Sequence, residues 1–548
     1  MKRYRLILPA GALSIGVIGL HLWSLLRYPA PFVDEAWYAS RAWAFIATGK
    51  PFGVLDAGVF DRFPGYGSYF QWLPVAIQSI ALRLAGHPGL FPLRVVSLAF
   101  GVVLLAAVWL MGQYLGGRRL AFLSTLLVAL SQPFFYSAHM ARYDVMVAAL
   151  GFLSVSLMLV NSKRRARVAL VAGLVLAMSF EIHPNGMIYG PVILVVGLAQ
   201  WGWSYFGGRD FWAFAGATLL GLLGYFAIHI LPNPHTYFAL NHLIYGSTHV
   251  PPIATGSLSI LAAGMGNELS LLLSTYLLGF VLVIWAAIAL ARSERRRERL
   301  LFLVALVLLL GQVLLVRNEF TYYAILVTPG LDMVLAAFLL RMTRSMASMR
   351  LAHPIPMVLS SLMMLGSMVV NLLPLRWNAY QDYLRVQDRI NADVRPEDVI
   401  MASQTYWFGL YQHRYYSWEQ LVYFERYSPG SGLEDGMAEF RPDIFIVDSN
   451  IEGFTTDEGQ SGLFSGFFDI PKAELNEALA EHGRLIDQFD GGSYGQVRVY
   501  RLSWPNSPPD SQLGEFSRSG TTLTSTSKRP VERSDTAGVQ GTGRPRVG

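Results

Sequence analysis

The sequence predicts an α-helical polytopic membrane protein with a small α/β domain after its last span. Three observations lead there. The 548 residues are 53% hydrophobic and only 15% charged, with mean hydropathy +0.38, where a soluble chain would carry about 25% charged residues. Apolar runs long enough to cross a bilayer, roughly 18 residues or more, recur up to about residue 375. The basic residues collect in the short loops between those runs, so the formal net charge of +6 carries topology information and is no sign of a nucleic-acid partner.

Taken in order, the N-terminus MKRYRLILPAGALSIGVIGLHLWSLL joins a basic start to an apolar stretch longer than the 7–15 residues of a signal-peptide core. It reads as a retained first span. Spans are expected at roughly 5–26, 91–115, 120–138, 145–160, 168–182, 187–206, 211–231, 268–290, 300–316, 323–340 and 355–373, about eleven in all. Basic clusters fall at Lys2/Arg3/Arg5, Arg118/Arg119, Lys163/Arg164/Arg165/Arg167, Arg209, Arg292 to Arg299 and Arg341/Arg344/Arg350. With the N-terminus in the cytoplasm, every one of these clusters is cytoplasmic.

The stretch 68–86, SYFQWLPVAIQSIALRLAG, is apolar but holds Gln71, Pro74, Gln78 and Arg83. An arginine deep in a span costs at least about 2.5 kcal/mol, and counting this stretch as a span would send the later basic loops outside. It is expected as an interfacial helix in the first outer loop. By this parity Asp34, Glu35, Asp61, Arg62, Asp144, Glu181 and His183 share the outer face of the cell (inner) membrane.

The composition divides the chain into a transmembrane region, 1–374, an extracytoplasmic α/β domain, 375–503, and a disordered tail, 504–548. DVIMASQTYWFGLY, RPDIFIVDSN and YGQVRVYRL read as strands, and PKAELNEALAEHG as a helix stopped by glycine. The tail is rich in Ser, Thr, Gly, Pro and Arg, too polar to form a core. With no cysteine, disulfides, thiolate metal sites and a cysteine nucleophile are excluded.

Three charged groups on the outer face point to chemistry. PFVDEAWY places Asp34 and Glu35 directly after the first span; GVFDRFPGY holds Asp61 and Arg62; HMARYDVM holds Arg142 and Asp144. Ionisable residues at span ends facing a bundle interior are functional by default, although a solvated acidic loop is the plain alternative. Glycosyl transfer from a lipid-linked donor wants this set: a carboxylate to take the acceptor hydroxyl's proton, arginines for the departing phosphate, and an apolar groove for the lipid tail. It needs no nucleotide pocket, and the sequence has no Gly-rich phosphate loop.

The run VDEAWYASRAWAFIATGKPF, followed by VFDRFPGYGSYFQW, ARYDVMVAALGFL and FEIHPNG, resembles the GT-C glycosyltransferases, specifically the protein O-mannosyltransferase and lipid A aminoarabinose transferase group, over residues 1–340. The resemblance implies a polyprenyl-phosphate sugar donor and a protein, lipid or glycan acceptor, hence roles in protein glycosylation or lipid A modification within the cell envelope. Carried over residue by residue, Asp34 would be the catalytic base, Glu35 would orient it or shape the site, and Asp144 would be the second essential acid. Arg62 would contact the lipid phosphate, and Asp61 would line the donor or metal region. Direct attack with one base implies inversion at the anomeric carbon.

Arg142, Arg317 and Tyr322 are further candidates for the donor phosphate, with an interfacial anchor of arginine and belt tyrosines as the alternative for the last two. His183 and Glu181 join the donor or acceptor pocket, or cap a helix end and snorkel, respectively. His235, His242 and His249 follow the seventh span. By position His242 with Asp61 mimics a metal pair of the aminoarabinose group, so a divalent metal stays open while no cofactor is required. A transporter or lipid flippase is the alternative reading, but it would keep its charges near the bilayer midplane.

Overall fold

The computed structural model describes residues 15–160, 164–245, 258–276, 279–316, 321–348, 372–456 and 470–504, with a few single helical positions between 358 and 369. All of them lie within one compact unit, Met1–Ser507. Arg317, His249, most of the expected last span and the tail beyond Trp504 lie outside the described residues.

The helices in chain order are α1 Ile15–Ser24, α2 Val33–Thr48, α3 Trp72–Ala85, α4 Leu90–Gly116, α5 Arg118–Leu130, α6 Gln132–Ala138, α7 Asp144–Leu159, α8 Arg165–Ile182, α9 Tyr189–Trp201, α10 Arg209–Tyr225, α11 Pro234–Tyr245, α12 Leu258–Tyr276, α13 Gly279–Ala291, α14 Arg296–Leu315 and α15 Thr328–Ser348. Among the described residues, four stretches are long and apolar enough to cross a membrane: Leu90–Gly116, Pro184–Tyr205, Arg209–Ile230 and Arg296–Leu315. The number rises to six if each of two bent pairs is one span. The chain is a multi-pass membrane protein.

Two of the expected spans are bent. The segment 120–138 turns by 64° between α5 and α6, where Pro133 has no N–H to continue the ladder and the Ser131 hydroxyl accepts from the Phe134 N–H at 3.4 Å. The segment 268–290 falls on α12 and α13, which meet at 111°. Hydropathy averages composition along the chain and carries no information about direction, so neither bend shows in it. At 14 residues, α3 is about 21 Å long, short of the roughly 30 Å hydrocarbon core. It buries Val75, Gln78 and Leu82 and exposes Ile80 and Leu84, the two-sided character of an interfacial helix.

The body packs around α7, whose side chains are nearly all buried. Small residues allow the close helix approaches: a Cβ on Gly173 of α8 would clash with the Phe214 carbonyl of α10. Since α4 is 27 residues long, its ends lie about 40 Å apart. Arg94, near its start, pairs with Glu35. At its far end Arg297 lies over the Tyr114 ring, Arg165 over Trp201, and Arg341 on the Ala289 carbonyl and Glu298. Basic loops scattered along the sequence thus converge on one end, opposite Asp34 and Glu35.

After Pro374 the chain forms a five-stranded sheet in the order β2-β1-β3-β7-β6. Its strands are β1 Val399–Ala402, β2 Arg414–Ser417, β3 Ile444–Val447, β6 Gly483–Asp490 and β7 Gln496–Leu502; β4 Thr455–Thr456 and β5 Ile470–Pro471 pair separately. β1 runs parallel to β2 and β3, whereas β7 is antiparallel to β3 and β6. Period-two alternation sends Ile400, Ala402, Ile444 and Ile446 into a cluster shared with α2, α3 and α4. Met401, Phe445 and Val447 go into another, with Phe60, Phe70 and Leu240. β2 and β6 escaped the sequence reading because RYYS is only four residues long and GRLIDQFD carries Arg484, Asp487 and Asp490.

Candidate active site

Asp34 and Glu35 occupy the first turn of α2 and go opposite ways. Glu35 is fully buried, and the Arg94 guanidinium grips it with both forks, at 2.9 and 2.8 Å. Its oxygens also accept the Ala141 N–H at 2.6 Å and the Phe32 N–H at 3.0 Å. Arg94 in turn donates to the Leu25 and Pro29 carbonyls, each at 3.0 Å. Glu35, expected with the catalytic group, is therefore wholly engaged in structure. It shapes the site: the bond to Ala141, together with Gln78 donating to the Ala141 carbonyl at 3.3 Å, satisfies the backbone of the buried loop 139–143.

That loop carries Arg142. Its guanidinium bridges Asp34 and Asp144, with the Asp144 contact at 2.8 Å, and lies 3.6 Å above the Tyr322 ring. The Arg142 and Asp144 side chains are each 5% exposed, whereas that of Asp34 is 21% exposed. Asp34 is the member of the trio that reaches solvent. Four of the expected residues, Asp34, Arg142, Asp144 and Tyr322, thus meet at one place, supplied by the start of α2, the α6–α7 loop and the segment before α15.

Several neighbours were missed. Tyr38 and Arg41 follow Asp34 at i+4 and i+7, one face of the helix, and this spacing was the available signal. Tyr38 stacks on Tyr143 at 4.0 Å, and its ring has both Arg41 and Arg142 at 5.9 Å. Arg41 forms a buried bidentate pair with Asp56, at 2.9 and 2.7 Å. His139 contacts His21 at 2.9 Å, tying the site loop to α1. Deeper in the body, the Tyr276 hydroxyl donates to Asp332 at 3.0 Å and Gln312 to Glu268 at 2.9 Å; both acids are buried.

The other expected residues lie elsewhere. Arg62, expected on the donor phosphate, turns to the sheet domain and pairs with Glu439 at 2.6 Å. Asp61 is exposed and accepts the Gly58 N–H at 3.0 Å. Glu181 accepts the Trp72 N–H at 3.1 Å and contacts His229 at 2.9 Å; it caps α3, whose first N–H groups lack helical partners. The His183 ring accepts the Asn185 N–H at 3.2 Å, the local cap foreseen as its alternative. His242 is exposed on α11. Among the described residues, Glu434, Glu481 and His482 on the sheet domain form a group of three with metal-ligand geometry.

No family model and no curated protein matches the sequence. Solved structures do match. ArnT from Cupriavidus metallidurans bound to undecaprenyl phosphate superposes with a TM-score of 0.59 at 14% identity, over 91% of this chain and 99% of that one. Its apo state gives 0.57 at 13%, over 92% and 100%. The chain has the GT-C fold. That likeness extends over the helical body and the sheet domain together. An oligosaccharyltransferase from Archaeoglobus fulgidus is a more distant match, at 0.46 and 11% identity, covering 91% of this chain and 74% of its own. In this fold the chain presents Asp34, Arg142 and Asp144 at the end of the bundle away from its basic loops.

Proposed function

We propose that this chain is a glycosyltransferase that moves a sugar from a polyprenyl-phosphate donor to an acceptor hydroxyl or phosphate at the outer face of the cytoplasmic membrane. The observation that carries the reading is the solvent-reaching Asp34 carboxylate, bridged through Arg142 to buried Asp144, in a fold whose solved example, ArnT, is bound to undecaprenyl phosphate. The N-terminus then lies in the cytoplasm and the sheet domain outside, with the basic loops inside.

Asp34 accepts the proton of an acceptor hydroxyl as that oxygen attacks the anomeric carbon, and the bond to the donor phosphate breaks with the electron pair leaving on phosphate. One displacement with no protein nucleophile inverts the anomeric centre. Arg142 holds Asp34 in orientation and brings a cation to the reacting centre, where charge develops on the leaving group. Tyr322 fixes the guanidinium plane from below.

The test is transfer of radiolabelled sugar from membrane polyprenyl phosphates by wild type, Asp34→Asn and Asp144→Asn, with expression and thermal midpoint measured on each. Asp34→Asn should fold normally and lose transfer by about 10²-fold or more. Undiminished transfer by folded Asp34→Asn protein would remove the base assignment.

A further inference from the structure

At the basic end of the bundle, about 32 Å along α4 from Arg94, lies a cavity of about 300 Å³. Its floor is apolar, formed by Leu115 of α4, Leu120 of α5, Leu301 of α14, and Ala337 and Leu340 of α15. Arg295, Arg296 and Arg297 form its rim, with Glu298 as the one acid in the lining. Glu298 is already engaged by Ser293 at 2.7 Å, Arg295 at 3.2 Å and Arg341 at 3.5 Å.

The remaining cations are held by neutral groups. Arg296 donates to the Gln200 carbonyl at 3.1 Å and Arg297 lies 5.3 Å from the Tyr114 ring centre. Glu294, exposed on the adjoining turn, does not line the cavity. Glu298 offsets only one of the three lining charges, so the cavity keeps a net positive charge that favours entry of an anion.

We propose that this cavity seats the headgroup of an anionic glycerophospholipid of the inner leaflet. The phosphodiester lies on the guanidiniums of Arg295–Arg297, whose planar forks match its oxygens. The first segment of an acyl chain lies on Leu115, Leu120, Leu301 and Leu340. An inorganic anion would leave that apolar floor wet, and a neutral lipid would leave the arginines unneutralised, so the pairing of floor and rim selects an anionic lipid. The site is independent of sugar transfer and would hold the basic ends of α4, α5, α14 and α15 together.

The experiment uses the full-length protein in nanodiscs of phosphatidylcholine, with and without phosphatidylglycerol. Retained lipid is read by native mass spectrometry after extraction, and the thermal midpoint is measured in parallel. Wild type should retain phosphatidylglycerol and melt higher in its presence. Retention should fall about fivefold for each of Arg295→Gln, Arg296→Gln and Arg297→Gln. Ala337→Trp, which fills the cavity and leaves every arginine in place, should lose it as well. Arg389→Gln, on the sheet domain, should not. Equal retention by wild type and the arginine variants, or full retention by Ala337→Trp, overturns the proposal. Inorganic phosphate raising the wild-type midpoint as far as the lipid does would assign the arginines to a free anion and overturn it too.

Discussion

Adjacent carboxylates Asp34 and Glu35 do different work because a helix turns 100° per residue. One faces the opening beside Arg142, and the other faces the core, where Arg94 satisfies both its oxygens. Replacing Arg94 with Met should strand a buried Glu35 charge, at a cost of about 3–5 kcal/mol, seen as a large fall in thermal midpoint and in yield. Arg142→Lys should fold close to wild type yet lower transfer at least about tenfold, because a point charge cannot span Asp34 and Asp144 as a planar fork does. Full transfer by Arg142→Lys would show that the bridge is unimportant.

The site depends on segments that are held from outside themselves. α3 begins at Trp72 with its first N–H groups on Glu181, a residue from the end of α8. Its carboxylate both accepts those bonds and lies at the positive end of the helix dipole. Glu181→Ala should cost about 1 kcal/mol, lowering the thermal midpoint by a few degrees while the KM for donor stays unchanged. A rise in KM with an unchanged midpoint would instead return Glu181 to the donor pocket. The loop 139–143 is likewise held in place by Glu35 and Gln78, which is how a non-helical segment stays buried.

At the scale of the whole molecule, the sheet domain is packed onto the helical body. The Gln420 amide donates to the Leu55 carbonyl at 3.2 Å and its oxygen accepts the Val59 N–H at 3.1 Å, and the Tyr494 hydroxyl donates to the Pro31 carbonyl at 3.0 Å. Beyond the ends of β2 and β3, burial pushes Glu419 up to about 7 and Asp448 up to about 6. Hydrogen bonds from Gln404 and Tyr423 to the first, and from the Ile451 N–H, Tyr406 and the Asn450 N–H to the second, oppose the shift only in part. Both acids hold a proton in the folded chain where the unfolded chain has released it. The native state therefore binds more protons between about pH 4 and pH 7, and stability falls as pH rises through that window. Glu419→Gln should raise the thermal midpoint at pH 8, where the unfavourable burial amounts to about 3 kcal/mol, and change it little at pH 5. Equal shifts at both values would rule out the titration.

The sequence by itself determined the helical class, the interfacial helix and the small α/β end, and it singled out Asp34, Arg142, Asp144 and Tyr322 as candidates without showing that they touch. Hydrophobic run length, the siting of charges at span ends and short quoted motifs are local properties, and these features depend on them. What only the tertiary structure decided is pairing over distance. Glu35 meets Arg94 across 59 positions and Arg62 meets Glu439 across 377, and nothing local marks such partners. The long-range partners of Arg62 and Glu181 were hidden from sequence reading for that reason. A carboxylate's job is set by which cation, amide or solvent reaches it, and packing chooses among them.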